Sequence, residues 1–374
     1  MPRVLIASDK FKGSLTAAAV AAAVGAGVRR ARPDAVVDSV PVADGGDGTL
    51  AAALAAGFEP VPVTASGPTG EPVPSGYARR GDVAVVELAD VSGLVRLPDG
   101  PAPMTASSRG AGELVAAAVE AGCRTIVLGI GGSASTDGGA GLLRGLGARL
   151  LSAEGRELPE GGGALAEVAT LDLAVLRDRM AGVDVVVACD VDNPLTGEHG
   201  AAAVYGPQKG AGAGQVVDLD DALTHWADVV ATTTGRDLRD VPGAGAAGGV
   251  GFAAMAVLGA RLRPGIELVL ELVGFADRLA GADLVVTGEG ALDAQTLHGK
   301  APAGVASAAR AAGVPVVAVC GVNRLDTERL RAAGIATAYA LTDLEPDVRR
   351  CLTHGAPLLE ELGVRIAADH LPVA

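Results

Sequence analysis

Asp283-Leu-Val-Val-Thr-Gly-Glu-Gly-Ala-Leu-Asp-Ala-Gln-Thr-Leu-His-Gly-Lys-Ala-Pro-Ala-Gly-Val-Ala306 is the stretch from which the fold can be read outward. Leu284, Val285 and Val286 form a short apolar run that stops at Gly288, the mark of a buried strand. Past it, Glu289, Asp293 and Gln295 crowd into a loop before Lys300 and an Ala-rich helical segment. Strand, polar loop and helix in that order make one unit of an open α/β sheet, and such sheets bind ligands at the carboxyl ends of their strands. Two acids flanking glycines, followed by a lysine, suit a metal ion and phosphate better than an apolar ligand.

The same pattern recurs towards the amino terminus. A strand over 4–7 empties into Ser8-Asp9-Lys10-Phe11-Lys12-Gly13-Ser14 before an Ala/Val helix over about 16–29, for which Ser14 is the expected N-cap. Lys10 and Lys12 beside that helix start would attract carboxylate or phosphate. A second strand over 36–42 ends in Ala43-Asp44-Gly45-Gly46-Asp47-Gly48-Thr49. Asp44 and Asp47 there could orient a hydroxyl or a metal-bound water, although Asp-Gly-Gly is also ordinary turn chemistry.

From 61 to about 103 the chain changes to short β-rich pieces punctuated by Gly and Pro, a composition shift that reads as a domain entry. A strand over 83–88, a helix over 111–120 and a strand over 125–130 follow. The last of these runs into Gly131-Gly132-Ser133-Ala134-Ser135-Thr136-Asp137-Gly138-Gly139-Ala140-Gly141 and a helix through Leu142 and Leu143. No Gly-Lys-Ser/Thr closes the loop, so it is not a Walker A sequence, and its spacing is not that of a dinucleotide fingerprint, which argues against NAD. Gly131, Gly132 and Ser133 are the expected cradle for nucleotide phosphates, with Asp137 in the same loop.

Another buried strand, 183–188, ends in Cys189-Asp190-Val191-Asp192-Asn193, where Asp190, Asp192 and Asn193 offer the hard oxygen ligands that magnesium takes. The turn is too short for an EF-hand. Lys209 follows in the glycine-rich turn Gly206-Pro207-Gln208-Lys209-Gly210, and the glycine run over 243–251 reads as a close backbone approach. Strands over 314–319 and 337–341 and a last helix from about 348 share the style of the first sixty residues. We therefore expect the two chain ends to form one α/β domain interrupted by a central one.

The composition agrees. A chain of 374 residues exceeds one ordinary core. With 49% hydrophobic, 20% charged and 2% aromatic residues, it packs small aliphatic side chains. A formal net charge of -14 argues against nucleic acid or an anionic membrane surface as the main partner. Cys123, Cys189, Cys320 and Cys351 lack a short Cys-x-x-Cys spacing, every apolar run is interrupted before it reaches membrane-span length, and no signal sequence opens the chain. A cytoplasmic protein with reduced thiols is the expectation. His199, His225, His298, His354 and His370 show no metal spacing; only His298 falls in a candidate loop.

Six motifs in order give the chain a resemblance to the bacterial class I glycerate kinases. They are Phe11-Lys12-Gly13-Ser14, Ala43-Asp44-Gly45-Gly46-Asp47-Gly48, Gly131-Gly132-Ser133 through Asp137, Cys189-Asp190-Val191-Asp192-Asn193-Pro194, Gly206-Pro207-Gln208-Lys209, and Gly288-Glu289 through Lys300. One departure is Thr136, where many members carry Asn. The resemblance implies ATP-dependent, magnesium-assisted phosphorylation of D-glycerate, to 2-phosphoglycerate in preference to 3-phosphoglycerate. It also implies two α/β domains: a discontinuous flavodoxin-like (Rossmann-like) one over 1–65 and 283–374, and a central mixed one over 66–282 with glycine-rich loops. The active site is then expected between them.

Phosphoryl transfer needs positioning, charge stabilisation and a base near the attacking hydroxyl. On that chemistry Asp190 and Glu289 are expected to hold Mg2+ directly or through water, with Asp192 and Asn193 in support. Gly131, Gly132 and Ser133, joined by Asp137 and Lys209, are expected to bind ATP. Lys12 and Lys300 would face the glycerate carboxylate or the transferring phosphoryl, and Asp293 or Asp44 would be the base. Partners are expected to be D-glycerate and ATP, with a homodimer left open. The residues by themselves also leave open a kinase or phosphatase for another small hydroxy acid, or a two-domain ligand sensor that does no chemistry.

Overall fold

A computed structural model describes residues 1–297 and 299–371. Its strands in chain order are β1 (Arg3–Ser8), β2 (Val36–Ser39), β3 (Glu59–Ser66), β4 (Pro72–Arg80), β5 (Val83–Glu87), β6 (Thr125–Gly129) and β7 (Arg149–Leu151). They continue with β8 (Thr170–Asp172), β9 (Asp184–Ala188), β10 (Arg261–Arg263), β11 (Leu284–Leu292), β12 (Val316–Asn323) and β13 (Thr337–Ala340). The chain divides into two compact units, one of Met1–Asp44, Ala51–Ala56 and Pro264–Ala374, the other of Gly45–Leu50 and Gly57–Arg263.

In the first unit a five-stranded parallel sheet runs β2-β1-β11-β12-β13. Numbered within the unit this is the order 2-1-3-4-5 of flavodoxin-like folds, whose ligand crevice lies where the order reverses, between β1 and β11. Side-chain alternation along β1 explains the layering. Val4 and Ile6 pack on one face with Val20, Val24 and Val28 of helix Ala17–Ala31 and with Leu359, Leu362 and Ile366 of helix Gly355–His370. Leu5 and Ala7 pack on the other face, with Ile266 and Val269 of helix Gly265–Leu272 and Val305 of helix Ala301–Ala311. With both faces covered, the strands read as continuous apolar runs.

The second unit holds a six-stranded mixed sheet in the order β10-β9-β6-β5-β4-β3, and a small β7-β8 pair. β3, β4 and β5 are antiparallel neighbours, whereas β5, β6, β9 and β10 run parallel. One core surrounds this sheet, with Leu114, Leu142, Trp226 and Phe252 fully enclosed. Trp226 satisfies its indole N–H on the Gly138 carbonyl at 3.0 Å.

The expected boundaries at 65 and 283 are displaced. β3 hydrogen-bonds along its whole length to β4 and so belongs with the second sheet. Helix Gly265–Leu272 buries Ile266 and Val269 in the first unit's core, which carries that unit back to Pro264. The first helix is capped by Thr16, whose hydroxyl accepts the Ala19 amide at 3.1 Å. Ser14, the expected cap, donates instead to the Leu352 carbonyl at 2.7 Å. Among the described residues no helix is long and apolar enough to cross a membrane.

Candidate active site

In the first unit the chemistry gathers at the β1/β11 crevice. β1 and β11 are in register to Ser8↔Gly288, and the Asp9 amide extends the ladder by donating to the Gly288 carbonyl at 2.9 Å. Asp9 is half-buried, and its Oδ1 accepts the Lys10 amide at 2.6 Å. Burial pushes its carboxyl up to about 7, helped by the charges of Asp44 and Glu289 and opposed by Lys10.

One residue further along β11, Glu289 is 8% exposed. The Thr296 hydroxyl donates to its Oε1, and the Lys300 ammonium lies 3.6 Å from its Oε2. Burial raises its carboxyl while Thr296 and Lys300 pull it back. Lys300 is the N-cap residue of helix Ala301–Ala311. Asp293 caps the intervening turn, Ala294–Leu297: its Oδ1 accepts the Gln295 amide at 2.9 Å and its own amide donates to Thr296 at 3.0 Å. Lys12 is exposed. Its backbone runs so close to β11 that a Cβ on Gly290 would lie 3.5 Å from the Lys12 amide nitrogen. His298 lies outside the described residues.

In the second unit the parallel register sets Glu87, Gly129 and Ala188 level at the carboxyl ends of β5, β6 and β9. The loops that follow are therefore neighbours on one edge. Gly132 is exposed with φ 77, a left-handed conformation that favours glycine. Among the described residues no acceptor takes the amides of Gly131, Gly132 or Ser133. Unpaired amides on a glycine turn are an anion-binding arrangement. The turn lies against the 45–48 segment: a Cβ on Gly131 would come within 2.7 Å of Gly46 Cα. Glu87, 6% exposed, holds that segment by accepting the Gly48 amide at 3.1 Å and the Leu50 amide at 2.9 Å. Burial pushes Glu87 up to about 7, with Asp47 and Asp90 adding to the rise and the two amides opposing it.

Two expected nucleotide contacts stand behind this turn. Lys209 is 2% exposed, and its ammonium donates to Ser133 Oγ at 2.9 Å and to the Ser135 carbonyl. Burial lowers it to about 8, and Asp137 opposes the fall. Asp137 is fully buried, and four donors occupy its oxygens: the Ser108 amide and hydroxyl at 2.8 Å each, and the Gly139 and Gly141 amides at 3.1 Å each. With its carboxylate so occupied, Asp137 holds the loop together and offers nothing to a ligand. The glycine run after 243 backs onto the same loop, the Gly138 amide donating to the Gly248 carbonyl at 2.8 Å.

Asp190 and Asp192 are exposed in the turn after β9, while Asn193 is tied to the His199 carbonyl at 2.9 Å and to Tyr205 at 2.6 Å. Among the described residues no three His, Cys, Asp or Glu side chains stand together as a metal site, and the expected set of Asp190, Asp192 and Glu289 is no exception. Glu289 belongs to the first unit and is engaged by Thr296 and Lys300. Magnesium needs only one or two carboxylates when phosphate oxygens and water complete its shell, so the exposed Asp190/Asp192 pair fits the ion in that form.

Sequence reasoning missed Asp9, Glu87 and Thr296. Asp9 was legible as the first residue past a strand. Nothing in the sequence marks Glu87 or Thr296, because only burial makes them matter.

Known proteins resemble the chain over nearly its full length. The model of the glycerate kinase family matches residues 4–371. A glycerate kinase of Bacillus subtilis (strain 168) is 43% identical over 371 residues, 98% of this chain and 97% of the relative. A glycerate 2-kinase of Escherichia coli (strain K12) is 43% identical over 344 residues, 91% of this chain and 90% of the relative. A crystal structure of a protein provisionally named glycerate kinase 2, from Salmonella typhimurium LT2, superposes with a TM-score of 0.85 at 40% identity, covering 98% of each chain. Glu289 on β11, Lys300 at the helix start and the loops that hold Gly131 to Ser133 and Asp190 all fall inside the span matched by the family, and the chain belongs to the glycerate kinase family.

Proposed function

We propose that the chain transfers the γ-phosphoryl group of ATP to the 2-hydroxyl of D-glycerate, giving 2-phosphoglycerate and ADP. The observation that carries this reading is the family match over residues 4–371, with the unpaired amides of the glycine turn inside it. The hydroxyl oxygen attacks Pγ, the bond from Pγ to the β-phosphate oxygen breaks, and the hydroxyl proton passes to a carboxylate. Asp44 or Asp293 is the base in this reading; Asp293 also accepts the Gln295 amide, and Asp44 adds to the field that raises Asp9.

Gly131, Gly132 and Ser133 receive the nucleotide phosphates on their backbone amides. Lys300, steadied by Glu289, and Lys12 meet the glycerate carboxylate or the transferring phosphoryl. Asp190 and Asp192 hold magnesium, which when bound neutralises charge on the phosphate oxygens. We assign the chain to the reducing cytoplasm, where its four free cysteines stay as thiols. The partners of this reading are ATP and D-glycerate; it needs no homodimer.

The test is coupled ADP release over a panel of hydroxy acids, followed by phosphorus NMR of the product. The expected result is ATP-dependent turnover of D-glycerate with the resonance of 2-phosphoglycerate. Asp190→Asn should lose roughly a hundredfold or more in kcat with an unchanged circular dichroism spectrum. Thermal stabilisation by D-glycerate without turnover would identify a sensor, and turnover of another hydroxy acid alone would replace the substrate.

A further inference from the structure

We infer that Lys209 is a positioning residue of the nucleotide site: from behind the glycine turn it fixes the backbone of Gly131, Gly132 and Ser133 and supplies buried positive charge to the bound phosphates without touching them. The inference rests on the reading of that turn as the phosphate cradle.

The ammonium is too enclosed to meet a ligand, at 2% exposure, and it donates to the turn's trailing side, to Ser133 Oγ at 2.9 Å and to the Ser135 carbonyl. Either side of Ser133, the Leu94 amide donates to the Gly132 carbonyl at 3.1 Å and the Ala134 amide donates to the Ser92 carbonyl at 2.9 Å. These contacts hold the turn, while the amides of Gly131, Gly132 and Ser133 take no protein acceptor among the described residues. Lys209 therefore clamps the loop that carries the unpaired donors. Its own helical turn, Pro207–Lys209, ends in Gly210 with φ 91, which stops the chain directly after the lysine.

Charge makes this more than a structural pin. A lysine placed in a dry interior costs free energy unless something negative answers it. Among the described residues Asp137 is the charged group that bears on Lys209, and it only partly opposes the effect of burial. A bound phosphate is further negative charge for the ammonium to answer. Burial also lowers Lys209 to about 8, so its positive charge fades as pH rises through that value, while the neutral amine can still donate to Ser133.

Steady-state kinetics of the full-length chain carry the test. Lys209→Met should raise the KM for ATP by roughly tenfold or more, the worth of a charge-assisted contact, and leave the KM for D-glycerate unchanged. In the wild type the KM for ATP should climb from about pH 7 to about pH 9.5, and in Lys209→Met it should be flat across that window. A purely structural lysine would not produce the pH limb. Gly132→Ala and Ser133→Ala separate the two readings. If either raises the KM for ATP while Lys209→Met keeps the wild-type KM and pH profile, the cradle stands and the role of Lys209 is overturned. If both fold and neither moves the KM for ATP, the cradle reading itself fails and the inference falls with it. Should Lys209→Met not fold, the wild-type profile decides, because a KM for ATP that stays flat through pH 8 overturns the proposal.

Discussion

Glu87 shows how a single buried acid can control a loop. One of its oxygens accepts both the Gly48 and the Leu50 amide, and Asp47 and Asp90 are charged groups that bear on it. The folded state raises the group from 4.5 to about 7. Between those values the folded chain keeps a proton that the unfolded chain releases, so this residue's contribution to stability is full below about 4.5 and is lost as pH rises through about 7. Glu87→Gln keeps an amide oxygen for both donors and removes the charge. Its melting temperature relative to wild type should therefore rise between pH 5 and pH 8, with a difference on the order of 3 kcal/mol for a shift of this size. The other raised carboxylates are common to both proteins and cancel. An equal offset at the two pH values would show that Glu87 is not protonated in the fold. The strand-end acids also mark the limit of sequence reading at this scale. Glu289 and Lys300 could be placed at one strand end from the sequence, as a metal ligand and an anion contact, and the structure sets them 3.6 Å apart as an ion pair. Lys209 and Asp137 looked like ligand contacts because a sequence shows that a charge lies in a loop and not which way it points.

Among the elements, glycine decides how closely helices pack. In helix Ala17–Ala31 a Cβ on Gly27 would sit 1.9 Å from the Glu360 carbonyl oxygen of helix Gly355–His370, and one on Gly363 would sit 2.3 Å from that of Val24. Helices Arg109–Glu120 and Ala140–Gly145 approach in the same manner, with Gly112 and Gly145 facing the carbonyls of Leu142 and Arg109. A chain with 54 glycines and 2% aromatic residues builds its layers from backbone contact more than from large side chains. Gly27→Ala gains helix propensity of up to about 1 kcal/mol but forces two backbones apart, and overpacking costs about 1–3 kcal/mol or more. The variant should lower the denaturation midpoint. Gly214, in helix Ala213–Thr234, has open space where its Cβ would be, so Gly214→Ala should be neutral or mildly stabilising. Equal midpoints for the two variants would refute the close contact. These elements were largely legible, since alternating apolar strands and Ala-rich helices announce an α/β chain. Their ends were not. β2 stops at Ser39 and β12 reaches Asn323, because hydrogen-bonding neighbours set strand length and the sequence does not display them.

For the molecule as a whole, the order of assembly follows from where β1 sits. It lies between β2 and β11, so the residues that complete its pairing are about 280 positions away, as in Val4↔Leu284. The first unit cannot close its sheet until most of the chain exists, and non-local pairing of this kind folds slowly. By contrast the second unit draws its whole six-stranded sheet and its core from one stretch, Gly57–Arg263, and borrows only Gly45–Leu50. A fragment of residues 57–263 should therefore fold alone, with a cooperative melt and a native-like helix and strand content. A fragment of residues 1–56 should not, because β1 and β2 without β11 form too small a sheet to stand by themselves. Circular dichroism and thermal melts decide it. A non-cooperative 57–263 fragment, or a folded 1–56 fragment, would show that the two units do not have the independence their strand pairing gives them.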